Sequence, residues 1–449
     1  MEAGALDQIT AHFWIPIATL AIVFLGIHIA IRFLAPYADP VFLPAVTLIN
    51  GMGVAFLRRI DLADAIRHKS TDYSAFSGLG FRQLLWTALS VGFAIIVLAI
   101  VRDHKSLSRY AFTLGFAGIV LVMIPAVLPA RLSMVNGAKL WINFGFFSIQ
   151  PGEFAKIALL VFFAYYLVRK REVLSLASRR VLGVDFPRGR DLGPVIAVWL
   201  MSLLVLIFEK DLGTSLMYFG MFIVTLYIAT ERVSWLIIGL MLFSGGVFTA
   251  YVLGGTIGGP FANFRLRADI WLDPFSDPDN RGYQLVQSLL GLGTGGLFGA
   301  GPGEGYPRKI PEVQNDFISA GLGEEIGLFG LTALLIVYLV IVVRGLRAAL
   351  GVHDSFGKLF AGGLAFTLGL QVFVIVGGVS KLIPLTGQTT PFLSAGGSSL
   401  MANWILITLL IRISDAARRP AEGQPAKGGN GPAAGGPAKL QEMPTEVMR

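Results

Sequence analysis

The 449-residue sequence contains no cysteine, and only 14% of its residues are charged. The missing cysteines exclude disulfide bonds, thiolate metal ligands and cysteine nucleophiles. Charged residues make up roughly 25% of a typical soluble domain, so a soluble fold of this length would lack the polar surface that it needs. The few histidines show no metal-ligand spacing: His12, His28, His68, His104 and His353.

Apolar residues are abundant instead, and form 54% of the sequence. Several apolar runs of about 18 to 22 residues are long enough to cross a ~30 Å hydrocarbon core. The sequence therefore predicts an all-α polytopic membrane protein. Eleven helices are predicted, over 13–34, 41–57, 83–101, 110–130, 154–168, 192–208, 212–229, 234–253, 317–343, 359–379 and 397–413.

Lysine and arginine in short loops indicate orientation, because such loops stay in the cytoplasm. Basic residues concentrate in four segments that fall on one side if the helices alternate: 102–109, 169–190, 344–358 and 412–419. The C-terminus is therefore predicted inside and the N-terminus outside. A Pro- and Gly-rich tail after residue 415 cannot bury a core and is predicted to be disordered.

The external side then holds the connections 131–153, 209–211, 254–316 and 380–396. One segment disagrees with this topology, since 58–81 is predicted outside although it is basic. Its basic residues are Arg58, Arg59, Arg67 and Lys69.

The external connections also concentrate polar residues, which are costly at membrane depth. A first group contains Glu153 and Lys156, which lie three residues apart at a predicted helix start and share a face. A second contains Glu209, Lys210 and Asp211, three consecutive charges between two apolar runs. For the first, a capped helix end with one ion pair is the alternative to a functional role. For the second, the alternative is a tight turn in which Asp211 caps the next helix.

The third group is the loop 254–316, which ends at Asp316. Loops of this length are usually functional or disordered. Its Gly-rich stretch, 291–305, matches no phosphate-binding pattern and favours a re-entrant or interfacial turn. Asp316 opens the ninth predicted helix, where free backbone amides and the helix dipole favour an anion. Helix capping and a functional carboxylate are both open for it.

The fourth group lies in 381–399, where Pro, Gly and hydroxyl residues separate two apolar runs. This composition predicts a re-entrant segment that lines a cavity, with close helix packing by small residues as the alternative.

At these four groups the sequence resembles the shape, elongation, division and sporulation family, the RodA/FtsW proteins, and the RodA-like branch fits best. The similar stretches are NGAKLWINFGFFSIQPGEFAK, FEKDLGTSL, WLDPFSDPDNRGYQLVQSLLGLGTGGLFGAG, PEVQNDFISAGLGEEIG and IPLTGQTTPFLSAGGSSLMANW. The resemblance implies a bundle of ten core transmembrane helices over 40–415. An extra N-terminal helix within 1–39, the long extracytoplasmic loop 254–316 and a cytoplasmic tail over 416–449 complete the predicted organisation.

The resemblance implies a peptidoglycan glycosyltransferase that polymerises lipid II at the outer face of the bacterial cytoplasmic membrane, for cell elongation and shape. The family's essential aspartate matches Asp316, as the general base of an inverting transfer. Implied substrate-binding residues are Lys139, Trp141, Gln150, Glu153, Lys156, Lys210, Asp211, Arg265, Arg267, Glu312, Gln388 and Ser398. The departing pyrophosphate needs cations, and a divalent ion, Mg²⁺ or Mn²⁺, is an open cofactor. Expected partners are lipid II, the nascent glycan and a class B penicillin-binding protein, with no nucleic acid.

Three motifs depart from the family pattern. Gln314 and Asn315 replace His-Thr before the aspartate, Gly152 replaces Ser in QPSE, and Ala395 replaces Tyr in SYGGSS. The lost tyrosine hydroxyl is expected to alter substrate contacts or rate.

Two other functions compete with the enzyme. A flippase for the lipid-linked sugar would use the same polar cavity, and would need charges that continue inward, as Glu324 and Glu325 do. A non-catalytic scaffold for a penicillin-binding protein would need only helix surfaces.

Overall fold

The computed structural model describes residues 14–67, 78–135, 138–145, 147–175, 177–181, 184–209 and 211–420. Within them the chain forms α1 (Trp14–Leu34), α2 (Phe42–Arg67), α3 (Gly78–Ile100), α4 (Ser106–Arg109), α5 (Ala111–Val127), α6 (Ala130–Ser133), α7 (Pro151–Ser175), α8 (Gly193–Phe208), α9 (Leu212–Thr230), α10 (Val233–Thr256), α11 (Ala262–Leu272), α12 (Tyr283–Gly295), α13 (Ile318–Gly351), α14 (Ser355–Val379) and α15 (Gly397–Arg418). Short 3₁₀ turns lie at Gly189–Leu192, Gly259–Phe261, Pro274–Ser276 and Pro307–Lys309.

In the part of the chain that the structure describes, strands are confined to three small antiparallel hairpins. They pair β1 (Met134–Val135) with β2 (Ala138–Lys139), β3 (Ile142–Asn143) with β4 (Ser148–Ile149), and β5 (Ala177–Val181) with β6 (Val184–Pro187).

Eight helices of the described chain are long and apolar enough to cross a membrane: α1, α3, α7, α9, α10, α13, α14 and α15. The apolar helices α5 and α8 are shorter. All eleven predicted helices are present, and the all-α polytopic membrane fold is confirmed.

Several predicted boundaries were wrong, for two physical reasons. Helix α2 continues to Arg67 and α13 to Gly351, because a helix keeps its backbone hydrogen bonds after it leaves the apolar layer, where hydropathy no longer reports it. Helix α5 ends at Val127 rather than at 130. Leu128 is extended, as expected for a residue that precedes a proline, here Pro129.

The core forms where the helices pack in a bundle. Helix α3 packs against α2 and α15, α5 against α7, and α14 against α9 and α13. Large side chains fill the centre, among them Tyr218, Phe317, Phe360 and Trp404, all almost completely buried. Helix α1 lies at the edge and packs mainly on α3.

Helix α13 is broken at Gly327, where φ is 68° and ψ is −176°. Backbone groups freed by the break are satisfied by the Gly-rich stretch. Ala300 N donates to Glu324 O at 2.9 Å, and Leu328 N donates to Gly296 O at 2.9 Å. A Cβ built on Gly299 would lie 2.2 Å from Glu325 O. The glycines therefore serve close packing, which agrees with the predicted turn rather than with a phosphate loop.

The contacts place the connections at two ends of the bundle. The tail rim holds the connections 35–41, 101–110 and 352–354 and the end of α15. There Tyr37 N donates to Asp415 Oδ1 at 2.8 Å, and His104 lies 2.8 Å from Asp354. The loop rim holds the described residues of 128–150, 209–211, 257–317 and 380–396, the connections predicted to share one face.

One basic residue of the segment that disagreed with the predicted topology, Arg59, is paired at the loop rim. Arg59 is buried, and its Nε donates to Glu325 Oε1 at 2.8 Å. Its Nη2 donates to the carbonyls of Gly303 and Gly305, each at 2.8 Å. The Arg59 side chain anchors the loop-rim end of α2 to the long loop. Lys69 lies outside the described residues.

Candidate functional site

The segment 385–398 joins the polar groups of the loop rim. Ala395 N donates to Gln314 O at 2.7 Å, and Ser394 Oγ donates to Asn315 O at 2.5 Å. At its end, Ser398 Oγ accepts Gln150 N at 3.2 Å. The segment thus holds the residues around Asp316 and the start of α7 in one place, as the predicted cavity-lining segment would.

The Glu153–Lys156 pair of α7 is buried and connected across the bundle. Lys156 Nζ donates to Glu153 Oε2 at 2.6 Å and to Gln371 Oε1 of α14 at 2.8 Å. Gln371 Nε2 in turn donates to Thr389 O at 3.1 Å. A buried pair of this kind is stable only when its remaining hydrogen-bonding capacity is met, and Gln371 meets it.

Asp211 caps α9, as the alternative interpretation predicted, because its carboxylate accepts Thr214 N at 3.1 Å. It also accepts the Thr214 hydroxyl and Gln388 Nε2, the latter at 3.1 Å. Burial raises the pKa of Asp211. The cap and the contact with Gln388 together fix Asp211 against the segment 385–398.

The N-cap of α13 is Phe317 and not Asp316, although the Asp316 carboxylate accepts the backbone amides of Asp316 and Phe317. The pKa of Asp316 is raised to about 7, mainly by burial and in part by the Glu312 carboxylate, whereas backbone hydrogen bonds from Asp316 and Phe317 and the charge of Arg267 oppose the rise. A carboxylate with this pKa exchanges protons near neutral pH, as a general base requires.

Arg267 lies near both aspartates of the site. Its positive charge lowers the pKa of Asp316 and of Asp211, and its Nη1 donates to Leu385 O at 3.1 Å. Trp271, one turn further along α11, donates from Nε1 to Lys381 O at 3.1 Å. Helix α11 is thereby docked on the segment that carries Gln388.

A groove of about 720 Å³ opens beside these residues. Trp86 and Trp141 form apolar walls, Arg82 and Asn143 add polar groups, and Asn315 belongs to the lining. The groove therefore reaches the residue that precedes Asp316.

Some predicted site residues face elsewhere. Lys139 Nζ donates to the carbonyls of Ala126 and Leu128, each at 3.3 Å, and so completes the end of α5. Arg265 lies 3.7 Å from Asp269, above the ring of Tyr251. Lys210 lies outside the described residues.

Sequence reasoning missed two buried polar residues at the site, Gln371 and Tyr218. The Tyr218 hydroxyl donates to Gly152 O at 3.0 Å. Glu209, a member of the second predicted polar group, is also buried. Burial raises the pKa of Glu209 to about 9, with a contribution from Asp211. The amide of Gln371 within an otherwise apolar helix was the available signal, because polar side chains inside spans are rarely without a role.

The described residues contain no group of three or more His, Asp or Glu side chains that could hold a metal ion by themselves. Mg²⁺ commonly binds to one or two carboxylates together with substrate phosphates. Glu312 and Asp316, which interact electrostatically, fit that second arrangement.

Comparison with protein families matches residues 40–419 to the cell cycle protein family of FtsW, RodA and SpoVE. The chain belongs to this FtsW/RodA/SpoVE family. Helix α1 precedes the matched residues. The family assignment confirms the resemblance found in the sequence motifs.

Among similar members, Peptidoglycan glycosyltransferase RodA of Mycobacterium tuberculosis is 50% identical over 402 residues, which are 89% of this chain and 82% of that protein. Stage V sporulation protein E of Bacillus subtilis is 35% identical over 343 residues, 75% of this chain and 87% of that protein. A solved structure described as coordinating polymerization and crosslinking in a peptidoglycan synthase complex has a TM-score of 0.65 at 24% identity. It covers 85% of this chain and 99% of its own, and supports the fold.

Proposed function

We propose that this FtsW/RodA/SpoVE family member is a peptidoglycan glycosyltransferase that polymerises lipid II for cell elongation and shape. The observation that carries the proposal is the placement of Asp316. It stands beside a large groove, is not the N-cap of a helix, and has a pKa raised to about 7. The names of the similar RodA proteins support the same activity.

In the proposed reaction Asp316 removes the proton from an acceptor sugar hydroxyl. The hydroxyl oxygen attacks the anomeric carbon of the donor from the face opposite the pyrophosphate, so the configuration inverts. The carbon–oxygen bond to the lipid pyrophosphate breaks, and the electron pair leaves with the phosphate. The proton remains on Asp316 until solvent removes it.

The residues around Asp316 supply the other requirements. Arg267 places positive charge where the pyrophosphate charge would grow, which is a large source of rate enhancement in such transfers. Glu153, Lys156, Asp211 and Gln388 hold the segment 385–398 as one wall of the site. Glu312 and Asp316 would hold a divalent ion together with the substrate phosphates. Such an ion would neutralise the growing phosphate charge, and EDTA would then stop polymerisation until Mg²⁺ or Mn²⁺ is restored.

The loop rim is proposed to face outward from the cytoplasmic membrane, since the basic segments 102–109 and 344–358 belong to the tail rim. A class B penicillin-binding protein is the proposed partner, supported by the polymerising and crosslinking complex that shares the fold. Its co-purification from membranes tests this, and a chain that always isolates alone and fully active contradicts it.

A purified-protein assay with labelled lipid II tests the activity. Full-length chain in detergent, with and without a class B penicillin-binding protein, is scored for glycan polymer on a gel. The Asp316→Asn variant, prepared in parallel, controls for contaminating polymerases. If the protein were only a flippase, the purified chain would form no polymer in detergent. If it were only a scaffold, any polymer would come from another enzyme, and the Asp316→Asn variant would give the same amount as the wild type. Either result contradicts the proposal.

The inward charges that a flippase would need, Glu324 and Glu325, already have structural partners. Arg59 and the backbone amide of Gly303 donate to Glu325, and the backbone amide of Tyr306 donates to Glu324.

A further inference from the structure

A second cavity, of about 310 Å³, lies at the tail rim between α1 and the family core. Its apolar lining includes Ile31, Leu43 and Ile411, and its polar lining includes His28, Arg32 and Asp39. His28 and Arg32 are four residues apart on α1 and therefore share one face of that helix. The cavity depends on α1, which precedes the residues matched by the family model.

The walls of this cavity are fixed by buried hydrogen bonds. Arg412 Nη1 donates to Leu34 O at 2.6 Å, which joins the end of α1 to α15. Asp39 N donates to Ser414 Oγ at 3.1 Å, so the connection between α1 and α2 is held against the same helix. The cavity is thus built by the fold rather than left between loosely packed helices.

In this cavity the acidic side chain has basic partners, whereas one basic side chain has no acidic partner among the described residues. The Asp39 carboxylate pairs with Arg418, and Arg344 lies 3.5 Å from it. Arg32 is exposed in the last turn of α1, and within the described part of the chain its guanidinium has no hydrogen-bond or ion-pair partner. One cation is therefore free to bind an anion where apolar side chains continue toward the membrane interior.

We propose that this cavity binds an anionic phospholipid. Its phosphate would accept hydrogen bonds from Arg32 and His28, and an acyl chain would lie along Ile31, Leu43 and Ile411. Basic pockets between membrane helices recognise phospholipid head groups in this way, and anionic lipids concentrate at the cytoplasmic surface. The site is separate from the proposed glycosyltransferase centre, which belongs to the opposite rim.

Lipid binding to delipidated full-length chain tests the proposal. Phosphatidylglycerol or phosphatidylcholine is added to the protein in detergent, and bound lipid is measured by native mass spectrometry alongside the melting temperature. Wild-type chain is expected to retain phosphatidylglycerol preferentially and to melt higher with it. Arg32→Gln should weaken that binding about fivefold, the effect of removing one basic residue at a lipid surface, and Arg32→Lys should largely restore it.

Arg102→Gln is the matched control, because Arg102 is an exposed arginine of the same rim that does not line the cavity. It should bind phosphatidylglycerol like the wild type. Equal binding of phosphatidylcholine, or unchanged binding by Arg32→Gln, would overturn the proposal. If inorganic phosphate raised the melting temperature as much as phosphatidylglycerol does, the proposal would also be overturned, because the site would then bind a free anion rather than a lipid. Lipid II polymerisation in detergent is measured separately, so failure of one proposal leaves the other standing.

Discussion

The tail rim and the loop rim both bury carboxylates, but they balance them differently. At the tail rim Asp39 pairs with Arg418, and Asp415 lies 3.9 Å from Arg412. At the loop rim Glu325 pairs with Arg59 and Glu153 with Lys156, whereas Glu209, Asp211 and Asp316 form no ion pair among the described residues, which exclude Lys210. An unpaired charge is costly to bury. Both rims therefore contain paired carboxylates that stabilise the fold, and the loop rim differs in also holding carboxylates that no cation neutralises directly.

The sharpest test of the comparison is Asp316→Asn. Asparagine matches the size of aspartate but cannot accept the proton, so polymerisation should fall by ~10² to 10⁴ while the melting temperature stays near wild type. The wild-type rate should rise with pH through about 7, as Asp316 loses its proton. Both are measured with labelled lipid II. Near-normal polymer from the variant would remove the catalytic assignment and leave Glu153 and Asp211 as the next candidates.

A second test separates structure from function at the buried Glu153–Lys156 ion pair of the candidate site. Lys156→Met strands the Glu153 carboxylate and should lower the free energy of unfolding by ~3 to 5 kcal/mol. The double variant Glu153→Gln/Lys156→Met removes both charges and should recover most of that loss. Denaturation and polymer assays on both proteins decide the role of the pair. If the double variant regains stability but not activity, the ion pair has a role in the candidate site. If it regains both, the ion pair is structural.

The neighbours of Asp316 allow a smaller, directional test. Glu312→Gln removes a negative charge that raises the pKa of Asp316, so the rise of rate with pH should move to lower pH. Arg267→Gln removes a positive charge that lowers this pKa, and should move the rise to higher pH. Shifts in the same direction for both variants would contradict the assignment of Asp316 as the titrating base.

The smallest effect is expected at the tail rim. Asp354 caps α14 through Gly357 N and lies 2.8 Å from His104. Burial alone would raise the pKa of Asp354, but these hydrogen bonds outweigh it and hold the pKa below its usual 3.8. Because the folded-state pKa is lowered, the stabilisation is present above 3.8 and is lost as pH falls through the folded value. Asp354→Ala should cost ~1 kcal/mol of stability and leave polymerisation unchanged, and lost activity would break the contrast between the rims.

The helices were predictable because a bilayer demands long apolar runs, whatever their neighbours. The candidate site was predictable only in part. Asp316 and the Glu153–Lys156 pair were found through polar residues in short motifs. By contrast, Gln371, Arg59 and the direction of Lys139 depend on contacts between distant segments, which no local pattern encodes. The break at Gly327 was missed because hydropathy is unaffected by one glycine.

That break has a consequence for how the protein is made. The amides of Leu328 and Phe329 bond to Gly296 and Leu297, which are synthesised earlier and belong to another part of the chain. The half of α13 that follows Gly327 therefore begins with amides that no residue of its own helix can satisfy. Their partners lie in the Gly-rich stretch, so we expect this half of the helix to reach its final backbone bonding only when that stretch has docked against it.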